Sequence, residues 1–97
     1  MIRSFADRGT EDIFDGAETP TARRTCPPTL WRVARRKLDQ INRVGSLIDL
    51  AVPPGNRLEA LRGDRAGQHS IRINDQFRIC FRWESEDAFE IEIADYH

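Results

Sequence analysis

Long apolar runs are missing from this chain of 97 residues, and none approaches the ~20 residues needed to cross a bilayer, so no membrane segment is expected. Cysteine is scarce. Cys26 and Cys80 are the only two, without CxxC spacing or a neighbouring histidine, so neither a metal nor another cofactor is implied and a reduced cytoplasm is the simplest compartment. The N-terminus carries Arg3, Asp7, Arg8, Glu11 and Asp12 where a secretion signal needs its apolar stretch. No phosphate loop, nucleophile elbow or zinc signature occurs, which removes the support for most enzyme classes. Lysine is nearly absent too. With Lys37 the only one, the positive charge is almost pure arginine, whose planar fork suits phosphates and carboxylates better than a point charge does.

What is present reads as globular: 39% of residues are hydrophobic and 32% charged, and the length suits one domain over residues 1–97. The net charge of -1 conceals a segregation, with -3 over residues 1–20, +8 over 21–83 and -6 over 84–97. A balance this close to neutral argues against a protein that coats DNA, and the basic middle is either a solvated surface or an anion-binding face.

From His69 to Ile73 and from Phe77 to Trp83 every second residue is apolar, the period of strands with one buried face. Ile71, Ile73, Phe77, Ile79, Phe81 and Trp83 are then core, while Ser70, Arg72, Arg78, Cys80 and Arg82 share the open face. A three-residue loop at 74–76 keeps Ile71 with Ile79 and Ile73 with Phe77. Phe89, Ile91 and Ile93 alternate as a last strand. Matching apolar faces sets Trp83 against Phe89, Phe81 against Ile91 and Ile79 against Ile93, with Arg82 facing Glu90 and Gln76 facing Tyr96.

Upstream, Ile2 to Ala6 reads as a first strand, and Thr10 as the cap of a short helix ending at Gly16. Residues 17–28, with Pro20, Pro27 and Pro28, read as a loop. Thr29 is placed to cap a second helix with the apolar stripe Leu30, Val33, Ala34, Leu38, Ile41 and Val44, ended by Gly45. Its opposite face, Arg32, Arg35, Arg36, Asp39 and Arg43, is a solvated face or a phosphate- or partner-binding one. Leu47 to Val52 is a short apolar segment, the run from Pro53 to Asn56 a turn, and Arg57 to Leu61 a further strand.

The spacing gathers Arg78, Asp95, Tyr96 and His97, with Glu59 and Arg65 on neighbouring segments. Such groups are able to cleave RNA without a metal: a base takes the 2′-OH proton, an arginine steadies the charge growing on the phosphate, and an acid protonates the leaving 5′-oxygen. The plainer alternative is an exposed terminal histidine and a tyrosine that only packs.

The run Gly55-Asn56-Arg57-Leu58-Glu59-Ala60-Leu61-Arg62-Gly63-Asp64-Arg65, the segment from Ser70 to Ile79, the ending Asp95-Tyr96-His97 and the opening Ile2 to Asp7 resemble the HigB branch of the RelE superfamily of toxins. The resemblance implies an α+β fold, with two N-terminal helices packed on one face of a mainly antiparallel sheet. It also implies a ribosome-dependent endoribonuclease that enters the ribosomal A site, cuts mRNA and is held inactive by a HigA-type antitoxin with a helix-turn-helix. Arg78 matches the family's phosphate-stabilising arginine, and Asp95, Tyr96 and His97 match its C-terminal catalytic triplet. Gln76 matches a position that holds RNA, and Arg62 and Arg65 match basic positions that meet RNA or ribosome, to which Arg72 and Arg82 on the open face add. Some HigB toxins carry histidine where this chain has Glu59, so Glu59 is either the general base, with His97 as acid, or a residue that orients Arg65 or Arg78. Two other functions stay open, a ParE-like toxin that blocks DNA gyrase and an RNA-binding module without catalysis. Arg78, Tyr96 and His97 together favour cleavage, since an inhibitor that only binds protein needs no proton-transfer pair.

Overall fold

Alternation in the second half of the chain builds the sheet, and the computed structural model, which describes residues 1–96, shows it as four strands in the order β1-β2-β3-β4. These are β1 (Glu59–Ala60), β2 (His69–Arg72), β3 (Phe77–Glu84) and β4 (Asp87–Asp95), and every neighbouring pair is antiparallel. The β2–β3 hairpin has the expected register: Ile71 faces Ile79, and the Ile73 amide donates to the Phe77 carbonyl at 2.9 Å. Asn74 shapes the loop, its Oδ1 accepting from the amides of Gln76 and Phe77 at 2.9 and 2.8 Å.

The β3–β4 register follows the expectation only as far as Cys80. Ile79 faces Ile93 and Cys80 faces Glu92, but beyond a bulge Arg82 faces Phe89 and Trp83 faces Ala88, one residue away from the apolar match. Glu90 sits at φ 54° at that point, so Glu90 and Ile91 together oppose Phe81. The bulge buries Ala88 completely and leaves Phe89 half-buried. A small side chain thereby replaces a large one against the core.

The expected first strand is reduced to two parallel bridges, Ile2 with Ala88 and Phe5 with Ile91, along the outer edge of β4. That edge is closed further by side chains: the Ser4 hydroxyl accepts from the Glu90 amide at 2.9 Å and the Thr10 hydroxyl from the Ile93 amide at 3.0 Å. Thr10 is therefore not a helix cap. Asp7 caps α1 (Arg8–Asp15), its Oδ1 accepting from the Thr10 amide at 2.7 Å, and Gly16 ends the helix at φ 80°.

The segment expected as a loop holds a short helix, α2 (Pro20–Thr25). Pro20 occupies its first turn, where a missing N–H costs nothing, and Thr19 caps it, accepting from the Ala22 amide at 3.0 Å. Gly9 lets α1 cross it closely: a Cβ there would lie 1.8 Å from the Thr25 hydroxyl oxygen.

The long helix α3 spans Trp31–Arg43 after a 3-10 turn at Pro28–Leu30, so Thr29 does not cap it. It ends before Gly45, at an extended Val44. Trp31, outside the expected stripe, is buried beside Ala34, Leu38 and Ile41, and its indole donates to the Cys26 carbonyl at 3.0 Å. Ile13 from α1 and these α3 residues pack on Ile71, Ile79, Phe81 and Ile91 of the sheet, giving the expected α+β class with one more helix than expected. Each of these large side chains stabilises the fold by about 2–5 kcal/mol against truncation to alanine.

Leu47–Ala51 and Pro54–Asn56 are 3-10 turns around a cis Val52–Pro53 peptide. Asn56, 1% exposed, ties them down: its amide donates to the carbonyls of Leu50 and Val52 and to Gln40 Oε1, at 3.1, 3.3 and 3.1 Å. Its Oδ1 accepts from Lys37 Nζ at 2.9 Å. The expected strand over 57–61 shortens to Glu59–Ala60, because Arg57 at φ 47° turns the chain first.

Candidate active site on the open sheet face

Residues of one parity on β2, β3 and β4 point away from the helices. Ser70, Arg78, Cys80 and Glu92 meet there across the ladders, with Arg72 beside Arg78 and Arg82 beyond Cys80. Ser70 and Cys80 are fully buried although they lie on the open side, since larger polar side chains cover them.

Arg78 is the centre of the face. Its Nε donates to Ser70 Oγ at 2.7 Å and its Nη2 to the Arg57 carbonyl at 2.8 Å, while Glu59 Oε1 stands 3.4 Å from Nη2. The side chain is only 13% exposed. Three oxygen partners on two segments, 57–59 and β2, hold the guanidinium in place. Glu59 itself is exposed, and its contact is with Arg78. Arg65 is held instead by Glu92, in a two-pronged pair at 3.1 and 3.2 Å, and by Gln68 at 3.1 Å. The pair with Glu92 is the main reason the Arg65 guanidinium is held above its ordinary pKa.

Tyr96 joins this face because the Tyr96 amide donates to the Gln76 carbonyl at 2.6 Å, the pairing anticipated between these two residues. Its hydroxyl oxygen accepts from the Cys80 thiol at 3.7 Å. Burial is the first cause raising the phenol pKa and the Cys80 contact the next, against the opposing pull of Arg65 and Arg78. The phenol is thus a proton-bearing group at neutral pH, a hydrogen-bond donor and not a base. Burial likewise pushes the Cys80 thiol up, which keeps it neutral.

Asp95 pairs with Phe77 in the ladder, which gives it the parity of the core residues, and its Oδ2 accepts from Gln76 Nε2 at 3.0 Å. It reaches the arginine face through Gln76. His97, expected to complete the triplet, lies outside the described residues. Arg72 pairs with Asp75, and Arg82 pairs with Glu90 across the bulge, although Phe89 and not the expected Glu90 stands opposite it in the ladder. Arg82 is four residues along β3 from Arg78, roughly 13 Å, so it belongs to the far end of the face. Arg62 is exposed and makes no ion pair among the described residues. No contact draws it into the site.

A cleft of about 290 Å³ opens between Arg57, Arg72, Asn74, Asp75, Arg78 and Tyr96. Arg57, Asn74 and Asp75 were not expected there. In the sequence Asn74 and Asp75 carry turn chemistry, and the signal for Arg57 is its place in the run from Gly55 to Arg65. Among the described residues no group of three His, Cys, Asp or Glu side chains stands where it would hold a metal ion. Chemically, the cleft offers the anchored guanidinium of Arg78 and two further arginines to a phosphate and a phenol as donor, with the Glu59 carboxylate against Arg78.

The chain has relatives along nearly its whole length. Residues 3–97 match the family described as RelE-like toxin of type II toxin-antitoxin system HigB. The chain is similar to Toxin HigB-1 of Vibrio cholerae, with 35% identity over 83 residues covering 86% of this chain and 84% of that protein. It is also similar to Endoribonuclease HigB of Proteus vulgaris, 30% identical over 103 aligned positions that cover all of both chains. Among solved structures it resembles a chain of the YoeB-YefM complex from Staphylococcus aureus, with a TM-score of 0.55 at 14% identity over 100% of this chain and 98% of that one. At that identity the likeness concerns the fold.

Proposed function

We propose, from the premise that the chain belongs to the HigB family of RelE-like toxins of type II toxin-antitoxin systems, that its open sheet face cuts messenger RNA presented by the ribosome. The protein is an endoribonuclease toxin, and an antitoxin is its partner. The observation that carries the proposal is the fixed guanidinium of Arg78, anchored by Ser70 and the Arg57 carbonyl and open to the cleft beside Tyr96.

In the proposed reaction a scissile phosphate enters the cleft, and Arg78 stabilises the negative charge that grows on it as the ribose 2′-oxygen attacks, with cleavage leaving a 2′,3′-cyclic phosphate and a 5′-hydroxyl. In this reading Glu59, which stands beside Arg78, takes the 2′-OH proton once the phosphate has replaced it there, and His97 protonates the leaving 5′-oxygen. Tyr96 donates from its protonated phenol and offers a face on which a base stacks. Asp95 holds Gln76 at the cleft edge, where the amide meets RNA. Arg65, Arg72 and Arg82, with Arg62, meet neighbouring phosphates of message or ribosomal RNA. Pairs as exposed as Arg82–Glu90 are worth about 0–1 kcal/mol, less than a charge-assisted bond to phosphate, so the carboxylates yield to RNA.

We further propose that residues 1–97 act as one toxin domain in the cytoplasm, entering the ribosomal A site and restrained by a HigA-type antitoxin with a helix-turn-helix. Among the described residues no helix is long and apolar enough to cross a membrane. The test adds purified protein to a translation extract and maps message ends. Cuts inside translated message, absent with Arg78→Ala, support the proposal. Blocked gyrase with intact message would overturn it in favour of a ParE-like inhibitor.

A further inference from the structure

On the other side of the 53–57 segment lies a larger cleft, of about 700 Å³, between the second half of α3 and the turn around Gly55. Arg36, Lys37 and Arg43 line it, and no carboxylate does. We propose that this cleft is a second phosphate-binding site, in which Arg36 and Arg43 hold the backbone of the same RNA strand where it continues beyond the cleavage cleft. The proposal rests on the ribonuclease reading and extends it to the path of the substrate.

Internal bonds account for the other polar groups of the cleft. Lys37 Nζ donates to Asn56 Oδ1 and to the Arg72 carbonyl, at 2.9 and 2.5 Å, and Gln40 is tied to Asn56 and to the Val52 carbonyl, which it reaches at 2.7 Å. Lys37 is therefore a wall. Arg36 and Arg43 are exposed, and among the described residues neither has a carboxylate partner. Asp39 stands between them on the helix, yet Arg43 Nε donates to its backbone carbonyl, at 3.4 Å. On the sheet face, by contrast, Arg65, Arg72, Arg78 and Arg82 each lie against a carboxylate of the protein. An incoming anion thus meets the guanidiniums of Arg36 and Arg43 without displacing a carboxylate of the protein.

Position supplies the second argument. Arg72, whose carbonyl Lys37 holds, lines the cleavage cleft, and Asn56 and Arg57, adjacent in the chain, line one cleft each. The two clefts share a wall. Arg36 and Arg43 are seven residues apart, about 10.5 Å along one side of the helix, a span suited to a strand crossing it and not to a single small anion. The lining holds no aromatic side chain and no carboxylate, and two exposed guanidiniums spaced along one side of a helix suit the repeated phosphates of a nucleic acid strand.

The test measures binding of 2′-O-methyl RNA, which cannot be cut, in single strands of roughly four and twelve nucleotides, lengths within the span of single-strand sites. Fluorescence anisotropy over a salt series compares the parent with Arg36→Gln/Arg43→Gln, whose folding is checked by thermal melting. The longer strand is expected to bind the parent more tightly, and the double variant to lose that advantage while keeping the short strand. Two lost phosphate contacts lower the log–log salt slope by ~1.4, or about sevenfold less weakening over a fourfold rise in salt. A folded double variant with parental slope and affinity for the longer strand overturns the site. So does one that keeps RNA but loses antitoxin, which would make the cleft a protein contact. Failure of the cleavage reading is separate: Arg78→Ala would then leave short-strand binding and message cutting unchanged.

Discussion

The hydroxyl of Tyr96 rests 3.7 Å from the thiol of Cys80, which is fully buried beneath the arginine face. Tyr96 is the only tyrosine of the chain, so its ionisation is visible on its own in the ultraviolet. Its phenol is expected to titrate above the usual 10.0, and Cys80→Ala, by removing one of the two causes of that shift, to move the midpoint downward. The donor function should therefore survive in the parent to above pH 10. A midpoint that does not move in Cys80→Ala would mean that the contact does not form in solution.

Arg78→Ala should lower message cleavage by about 10²–10³-fold, the loss seen when a donor to a developing charge is removed. It should also destabilise the fold by about 1–3 kcal/mol, because Ser70 is buried and loses its partner. Single-turnover cleavage and urea unfolding give the two values. Arg78→Lys should recover part of the charge but not both bonds, leaving cleavage between alanine and parent.

Glu59 touches Arg78, so two roles lead to different outcomes. As general base, Glu59→Gln should lose about 10²-fold or more, while Glu59→His retains cleavage with a dependence on pH near 6.5. As a holder of Arg78 alone, Glu59→Gln should stay within a few-fold of the parent, because the amide oxygen still accepts. The pH–rate profiles of both variants decide it.

His97→Ala should lower cleavage by about 10²-fold if the imidazole is the acid. Removal of Tyr96 and His97 together should cost more activity but little stability, since the core on β4 reaches only to Ile93 and Ala94. Thermal melting and antitoxin binding establish folding, and cleavage on ribosomes reads the chemistry. A folded truncation that cuts at the parental rate would remove the chain's end from the mechanism.

Burial raises the Cys26 thiol from 9.0 to about 11. In the folded protein it keeps its proton where the unfolded chain has released it, so the native state binds more protons and stability falls as pH rises from 9 towards about 11. The limiting slope is about 1.4 kcal/mol per pH unit. Cys80 is raised by burial as well and adds a contribution of the same sign, so Cys26→Ala should flatten the alkaline fall without abolishing it. Chemical unfolding at a series of pH values checks the slope.

Local patterns carried much of the architecture. A period of two requires only neighbours in the chain, so the β2–β3 hairpin and the face shared by Arg72, Arg78 and Arg82 could be read directly, as could most of the α3 stripe. Tertiary packing decided the rest. Pro20 is able either to break a helix or to begin one, and docking of α2 against Gly9 settled which. The bulge at Glu90 arose where Ala88, and not Phe89, fits the core, a choice set by volume and invisible to a pattern of apolar letters. Thr10 carries cap chemistry, but the unpaired amide of Ile93, 83 residues away, claimed its hydroxyl and left the cap to Asp7. The site divides in the same way. Its arginines were legible from composition and alternation, whereas the partners that aim them come from distant segments: Glu92 lies 27 residues from Arg65, and the Arg57 carbonyl 21 from Arg78. Spacing along a strand says which side chains share a face. Which oxygen each guanidinium finds there depends on how the loops fold back over the sheet, and only the assembled chain determines that.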